Sequence, residues 1–432
     1  MPKLPVPSFE ITRHTLDNGL RVVVAPDRTA PVVGVAVLYD VGMRSEPEGR
    51  TGFAHLFEHL MFQGSANLEK LEHFRYVQSS GGTFNGSTHV DYTNYFESLP
   101  SNALERGLFL EADRMRSPRI TKENLANQLD VVKNEIRVNV MNRPYGGFPW
   151  IYLPPILFDS FANSHNGYGG FEDLESATVD DAADFFAKYY APANAVLAVG
   201  GDCEVDETLA MVERHFASIT KRRKPKRPNF AEPALTGERR EQHDDPHAPI
   251  PAVAIGYRVP DPVNSLDEHL AHVLLAEVLT DGDASRLQRR LVQRDHLVTD
   301  IAAYIGEFGD PFDERDPTAM TITAHYAERS SLEHVLRAVD EELDRIASDG
   351  LEPGELDRVR MRLLGVIFRE LDPVISRTLE FAKFELVYGR AEMSMELPAM
   401  LATVTEDAVR AAAAGLRPDR RAVLELVAGA RR

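Results

Sequence analysis

Five consecutive residues, His55-Leu56-Phe57-Glu58-His59, sit among Phe53, Leu60, Met61 and Phe62. Read as a helix from Phe53 to Gln63 that ends at Gly64, the run is apolar nearly all round. A helix of that kind is buried. Two imidazoles and a carboxylate inside it then need partners, so the fold has to close around this segment and bring further polar groups to it.

Residues i and i+4 of a helix share a face, so His55 and His59 can reach one tetrahedral metal ion. Glu58 lies beside the same point without binding it. A catalytic zinc takes three protein ligands and leaves one position for water. It lowers the pKa of that water, and a nearby carboxylate takes the proton. The pattern therefore gives His55 and His59 as ligands and Glu58 as base. The third ligand comes from elsewhere. A helix predicted over Lys122 to Met141 carries Leu125, Leu129, Val132, Ile136 and Val140 on one stripe and offers Glu135 beside it. Spacing alone leaves Glu123 and Asp130 open as alternatives.

A chain of 432 residues is too long for one ordinary core, so two halves are expected. The first opens with Asp17-Asn18-Gly19-Leu20 between apolar runs, a hairpin signal. Val32 to Val41 follows as a buried strand, Phe84 to Leu99 as strand material, Leu104 to Met115 and Asp181 to Tyr190 as helices, and Ala195 to Gly201 as a strand. The stretch from Lys221 to Pro251 is polar and proline-bearing, and reads as a linker with a short edge strand. Its basic run, Lys221 to Arg227, reads as solvated. Beyond it the pattern repeats in worn form: a strand at Val253 to Arg258, then a helix from about Asp267 to Leu279. Aligned on the first helix, this one has Leu275 in place of Glu58 and Ala276 in place of His59, which predicts an internal duplication with one dead site.

The formal net charge of −19 argues against nucleic acid and anionic membranes as partners, and no apolar run is long enough to span a bilayer. Cys203 is the only cysteine, so no intrachain disulfide exists, and after an apolar strand it is expected as a buried, inert thiol. Met1 to Arg13 lacks the apolar stretch of a secretion signal, and a cytoplasmic protein is expected.

The order His-x-x-Glu-His is the inverzincin signature. With Asp17 to Val22, Gly82-Thr83-Phe84-Asn85-Gly86-Ser87-Thr88, Asp91-Tyr92-Thr93 and Tyr190-Ala191-Pro192-Ala193-Asn194, the chain resembles the pitrilysin family of zinc metallopeptidases, which includes the mitochondrial processing peptidase and insulin-degrading enzyme. The resemblance is strong in the first half and weak in the second. It implies an α+β fold of two homologous α/β-sandwich halves of the processing-peptidase type, mostly antiparallel sheets flanked by helices. The expected division is a zinc-bearing domain over 1–220, a linker over 221–250 and a degenerate repeat over 251–432. It further implies one zinc ion per chain, with Glu135 as the third ligand, and an endopeptidase that encloses peptides in a chamber. Asn85, Gly86 and Ser87 would hold the substrate as an added strand. Tyr145 and Gly146 read either as a loop near the site or as a simple turn.

Two departures stand out. Where the family often has a glutamate two helical turns before the third ligand, this chain has Gln128, an amide that can still hydrogen-bond a ligand but brings no charge. Where the family's second half has a substrate-contacting arginine and tyrosine, this chain has Val292 and Thr299. The expectation is a zinc-bearing subunit whose homologous partner supplies the arginine and tyrosine. The competing readings are a non-catalytic assembly subunit of the same family and a zinc hydrolase acting on small molecules.

Overall fold

The computed structural model describes residues 8–326 and 331–429; the first seven residues of the N-terminal stretch discussed above lie outside them. The Asn-Gly signal does make a hairpin. Strands β1 (Thr12–Thr15) and β2 (Arg21–Pro26) pair antiparallel, and Gly19 between them takes φ 95°, a conformation suited to glycine. The other strands are β3 (Val32–Tyr39), β4 (Thr83–Thr88), β5 (Thr93–Pro100), β6 (Ala195–Gly201), β7 (Arg239–Asp245), β8 (Ala252–Val259), β9 (Val298–Ile305), β10 (Thr318–Tyr326) and β11 (Arg421–Ala428).

They form two sheets, ordered β1-β2-β6-β3-β5-β4 and β7-β11-β8-β10-β9. In the first, β2 and β6 are parallel and every other pair is antiparallel. In the second, β7 and β11 are parallel and every other pair is antiparallel. Leaving β1 aside, the two sheets have one topology. A helix follows β3 (α1, Phe53–Leu60) as another follows β8 (Leu266–Thr280). The duplication read from sequence is thus present in the fold, and the edge strand expected inside the linker is β7.

Contacts divide the chain into two units, neither of them contiguous. One holds the residues up to Lys133, Gly167–Pro228 and Val366–Leu397; the other holds Asn134–Asn166, Asn229–Gly365 and Pro398–Arg432. The linear division into 1–220, 221–250 and 251–432 therefore needs correction by two exchanged segments. In the first unit, alternate residues of β3 face opposite ways. Ala36 and Leu38 pack with Val23, Ala25, Val196 and Ala198 against Phe381, Ala382 and Leu386 of the helix Val374–Tyr388. Gly34 and Gly200 let that helix approach, since a Cβ at either would stand within 2.7 Å of Thr378 Oγ1. In the second unit the mirror arrangement holds. Ala252, Ala254, Ala422, Leu424 and Leu426 are covered by Phe148, Leu153, Ile156 and Leu157, which come from the N-terminal half. Each sheet is completed by a segment from the other end of the chain.

The basic run is not simply solvated. Lys224 reaches Asp40 (3.0 Å) and Arg227 reaches Asp91 (2.6 Å), which also meets buried Arg44 (3.2 Å). Among the described residues no helix is long and apolar enough to cross a membrane, and Cys203 is buried, as expected.

Candidate metal centre

Helix α1 buries Phe53, Ala54, Leu56, Phe57 and Leu60, while His55, Glu58 and His59 are only half-buried. The helix is therefore anchored on its apolar side and open on the side that carries the chemistry. Its N-terminus is capped from a distance: buried Glu46 accepts from the backbone of Gly52 (2.8 Å) and Ala54 (2.7 Å). That satisfies free N–H groups and places a negative charge at the positive end of the helix. Gly52 is at φ 82°, and a Cβ there would meet Tyr168 O at 2.5 Å, so the turn into α1 requires glycine. The Tyr168 ring meets the His55 ring edge-on, with centroids 5.0 Å apart.

After α2 (Glu72–Ser79) and α3 (Leu104–Arg116) the chain forms α4 (Lys122–Ile136), which runs opposite α1. Asn124 ties its start to the segment just after α1 by donating to Gln63 O (3.2 Å). Along its length Leu125, Gln128, Val132 and Ile136 turn inward. Between Gln128 and Ile136, Glu135 joins His55 and His59: one ligand atom from each lies within 4.8 Å of the other two. The two Nε2 atoms are 3.3 Å apart. Of the alternatives left open by spacing, Glu123 is exposed and Asp130 is an exposed partner of Lys133 (3.4 Å); neither joins the group. After Ile136 the helix widens into a π-helical turn, Arg137–Met141, a feature frequent at functional sites.

His59 Nδ1 lies 3.3 Å from Gln128 Oε1. An amide oxygen only accepts, so Nδ1 carries the proton and the lone pair sits on Nε2, toward His55 and Glu135. Two imidazole nitrogens and a carboxylate oxygen, one nitrogen in the ligating tautomer, are the kinds of donor that a zinc ion takes. The residues present fit that ion. Gln128, expected from the family pattern as an amide able to hydrogen-bond a ligand, meets His59.

Beside α1 lies β4, at one end of its sheet. Asn85 is exposed, Gly86 is buried against Glu58 and Phe62, and Ser87 bonds Asn94 through both N (3.1 Å) and Oγ (3.0 Å). Thr88 donates to Glu58 Oε2 (2.8 Å). Tyr145 and Gly146 form a turn: Tyr145 bonds Asp245 (2.7 Å) and Ile250 (2.9 Å), all within the second unit. Glu46, Thr88 and Tyr168 escaped sequence reasoning. Only Glu46 left a signal, as an acid shortly before the glycine that starts the helix.

A second group with ligand-like spacing, His73, Glu97 and Glu111, is fully buried. It already contains its cation. Arg114 holds Glu111 through Nε (2.9 Å) and a second, shorter bond, and its guanidinium stacks on Tyr95 (4.4 Å) and Phe62 (5.0 Å). Burial pushes His73 down to about 3 and keeps it neutral beside Glu97, 3.0 Å away. Two carboxyls then face one guanidinium, and burial raises both above the ordinary carboxyl range. One retained proton balances the cluster, so it calls for no metal.

Comparison with known proteins gives a consistent picture. Residues 21–144 match the family model described as insulinase (peptidase family M16), and residues 176–363 match the one described as the peptidase M16 inactive domain. The zinc protease PqqE of Helicobacter pylori is 28% identical over 358 residues, covering 80% of this chain and 77% of that protein. The uncharacterized zinc protease YmxG of Bacillus subtilis is 23% identical, covering 88% and 89%. The crystal structure of a protease from Helicobacter pylori superposes with TM-score 0.89 at 25% identity, over 97% of this chain and 100% of that one. Pitrilysin shares the fold (TM-score 0.79, 19% identity), and this chain covers 98% of itself but 45% of pitrilysin.

Proposed function

The chain belongs to the insulinase family, peptidase family M16, and from that premise we propose that it is a zinc-dependent endopeptidase cleaving peptides or short unfolded polypeptides. The observation that carries this reading is the meeting of His55, His59 and Glu135 within 4.8 Å, with Glu58 next to His59 in sequence and three residues from His55 on the same helix. A scaffold has no use for that constellation.

His55, His59 and Glu135 would hold one zinc ion per chain. When bound, zinc supplies a Lewis acid that polarises a peptide carbonyl and acidifies a water. Glu58 accepts the proton of the attacking water and later delivers it to the departing amine nitrogen. Gln128 keeps His59 in its ligating tautomer. Strand β4 offers the main-chain groups of Asn85, Gly86 and Ser87 to a peptide lying alongside as an added strand. The test is Glu58→Gln, which should retain zinc and lower turnover by roughly 10²–10⁴-fold; unchanged turnover refutes the assignment of the base.

The chain is further proposed to act with a homologous partner. Val292 sits half-buried in the π-helix Gln288–Arg294, and Thr299 on β9 bonds Asp300 (2.9 Å). Neither offers the guanidinium or phenol expected there. Nearby, Arg294 is engaged by Asp295 (2.7 Å). The purified chain should therefore bind zinc yet hydrolyse a quenched peptide slowly until the partner is added. Brisk hydrolysis by the chain alone overturns the partner, and a chain that binds no zinc favours an assembly role.

A further inference from the structure

Glu58 is held from outside its own helix. A carboxylate only accepts, so the 2.8 Å contact is a bond from the Thr88 hydroxyl to Glu58 Oε2. What lets the strand come so close is Gly86, two residues earlier and on the same face of β4. A Cβ at Gly86 would stand 3.3 Å from Glu58 Cγ, 3.3 Å from the Phe62 ring and 3.1 Å from Asn94 O. The terminal torsion of a glutamate is broad, so a partner outside the helix bears on the carboxylate plane. A bond to one oxygen fixes where the other lies, and a hydrogen bond to an ionised acceptor is among the stronger ones.

We infer that Thr88 is a positioning residue for the general base, and that β4 thereby links the seating of a peptide strand to the aim of Glu58. This rests on the proposed role of Glu58. The strand that ends its sheet is also the strand whose last residue grips the carboxylate. A peptide that pairs with β4 stiffens it, and stiffening β4 holds Thr88 and Glu58 in register.

The test compares Thr88→Val, which removes the hydroxyl at similar shape, with Thr88→Ser, which keeps it. For the full chain, with the partner subunit if activity requires it, kcat, KM and zinc per chain are measured. Thr88→Val should keep zinc and KM and lower kcat by about 10–100-fold, while Thr88→Ser recovers most of the rate. In the metal-free chain, the Tm shifts of Thr88→Val and Glu58→Ala should be non-additive in the double variant, a readout independent of catalysis. An unslowed Thr88→Val, a Thr88→Ser as slow as Thr88→Val, or additive Tm shifts overturns the inference. A wild-type sample that hydrolyses no peptide overturns the proposed function and this role together; a hydrolysing wild type with an unslowed Thr88→Val overturns this role alone.

Discussion

A chain cut after Pro228 should fail to fold, although it carries every strand of the first sheet and all the candidate zinc ligands. The missing piece is Val366–Leu397, which belongs to that unit. Phe381, Leu386, Val387 and Met395 are each at most 8% exposed and pack on the face made by β2, β3 and β6. Burying a large apolar side chain contributes about 1.5–3 kcal/mol, so these four together contribute about 6–12 kcal/mol. That is comparable to the entire stability of an ordinary domain, about 5–15 kcal/mol. The cut also removes the Arg377–Asp27 pair (2.5 Å) and the Arg13–Glu385 pair (2.8 Å), and it leaves Phe148 to Leu157 without the sheet they cover. In thermal circular dichroism, residues 1–228 should show no cooperative melt and should bind a hydrophobic dye. Co-expression with 366–397 should restore a melt and zinc binding. A fragment that melts cooperatively near the temperature of the whole chain refutes the exchange of segments as an energetic necessity.

Two other outcomes are expected. Gln128→Ala frees the His59 ring and should weaken zinc affinity by about 10–100-fold, read by competition with a chelator; unchanged affinity removes Gln128 from the site. The Glu97–Glu111 pair gives a pH dependence whose sign follows from burial. Its proton is retained in the native state, Glu111 being pushed up to about 8 from an ordinary value of 4.5, so the native state binds more protons than the unfolded chain across that interval. The pair alone makes stability fall as pH rises from about 4.5 toward 8, whereas buried His73, held down to about 3 from an ordinary 6.5, gives the opposite slope below about 6.5, so the net fall is read between about 6.5 and 8. Denaturant midpoints should decline over that range in the wild type and decline less in Glu97→Gln, and equal slopes refute the shared proton.

The parts of this protein that are legible in the sequence are those encoded within a few residues. The i, i+4 spacing of His55 and His59, the apolar run around them, the Asn-Gly hairpin and the all-apolar strand at Ala195–Gly201 each depend on local geometry, which the periodicities of helix and strand express directly. The worn second copy was legible for the same reason: its order of strand, loop and helix survives even where Leu275 and Ala276 replace the catalytic glutamate and the ligating histidine. Glu135 was reached only through likeness to a family, because one helix offered three acids and periodicity does not say which turn faces α1. Packing decided it, through Gln63 and Asn124 at one end and the inward stripe of Leu125, Val132 and Ile136 along the length.

What only the tertiary structure decided are pairings between residues far apart in the chain. The hydroxyl of Thr88 on Glu58, the amide of Gln128 on His59 and the capping of α1 by Glu46 involve polar side chains that look like ordinary surface residues in sequence. The exchanged segments are the largest case. An apolar helix near the C-terminus announces that it will be buried, but hydrophobic burial has no direction, and a sequence pattern cannot say which of two similar sheets it will cover. Gly34 and Gly200 admit Thr378 against the first sheet, and steric fit of this kind exists only once the strands are assembled.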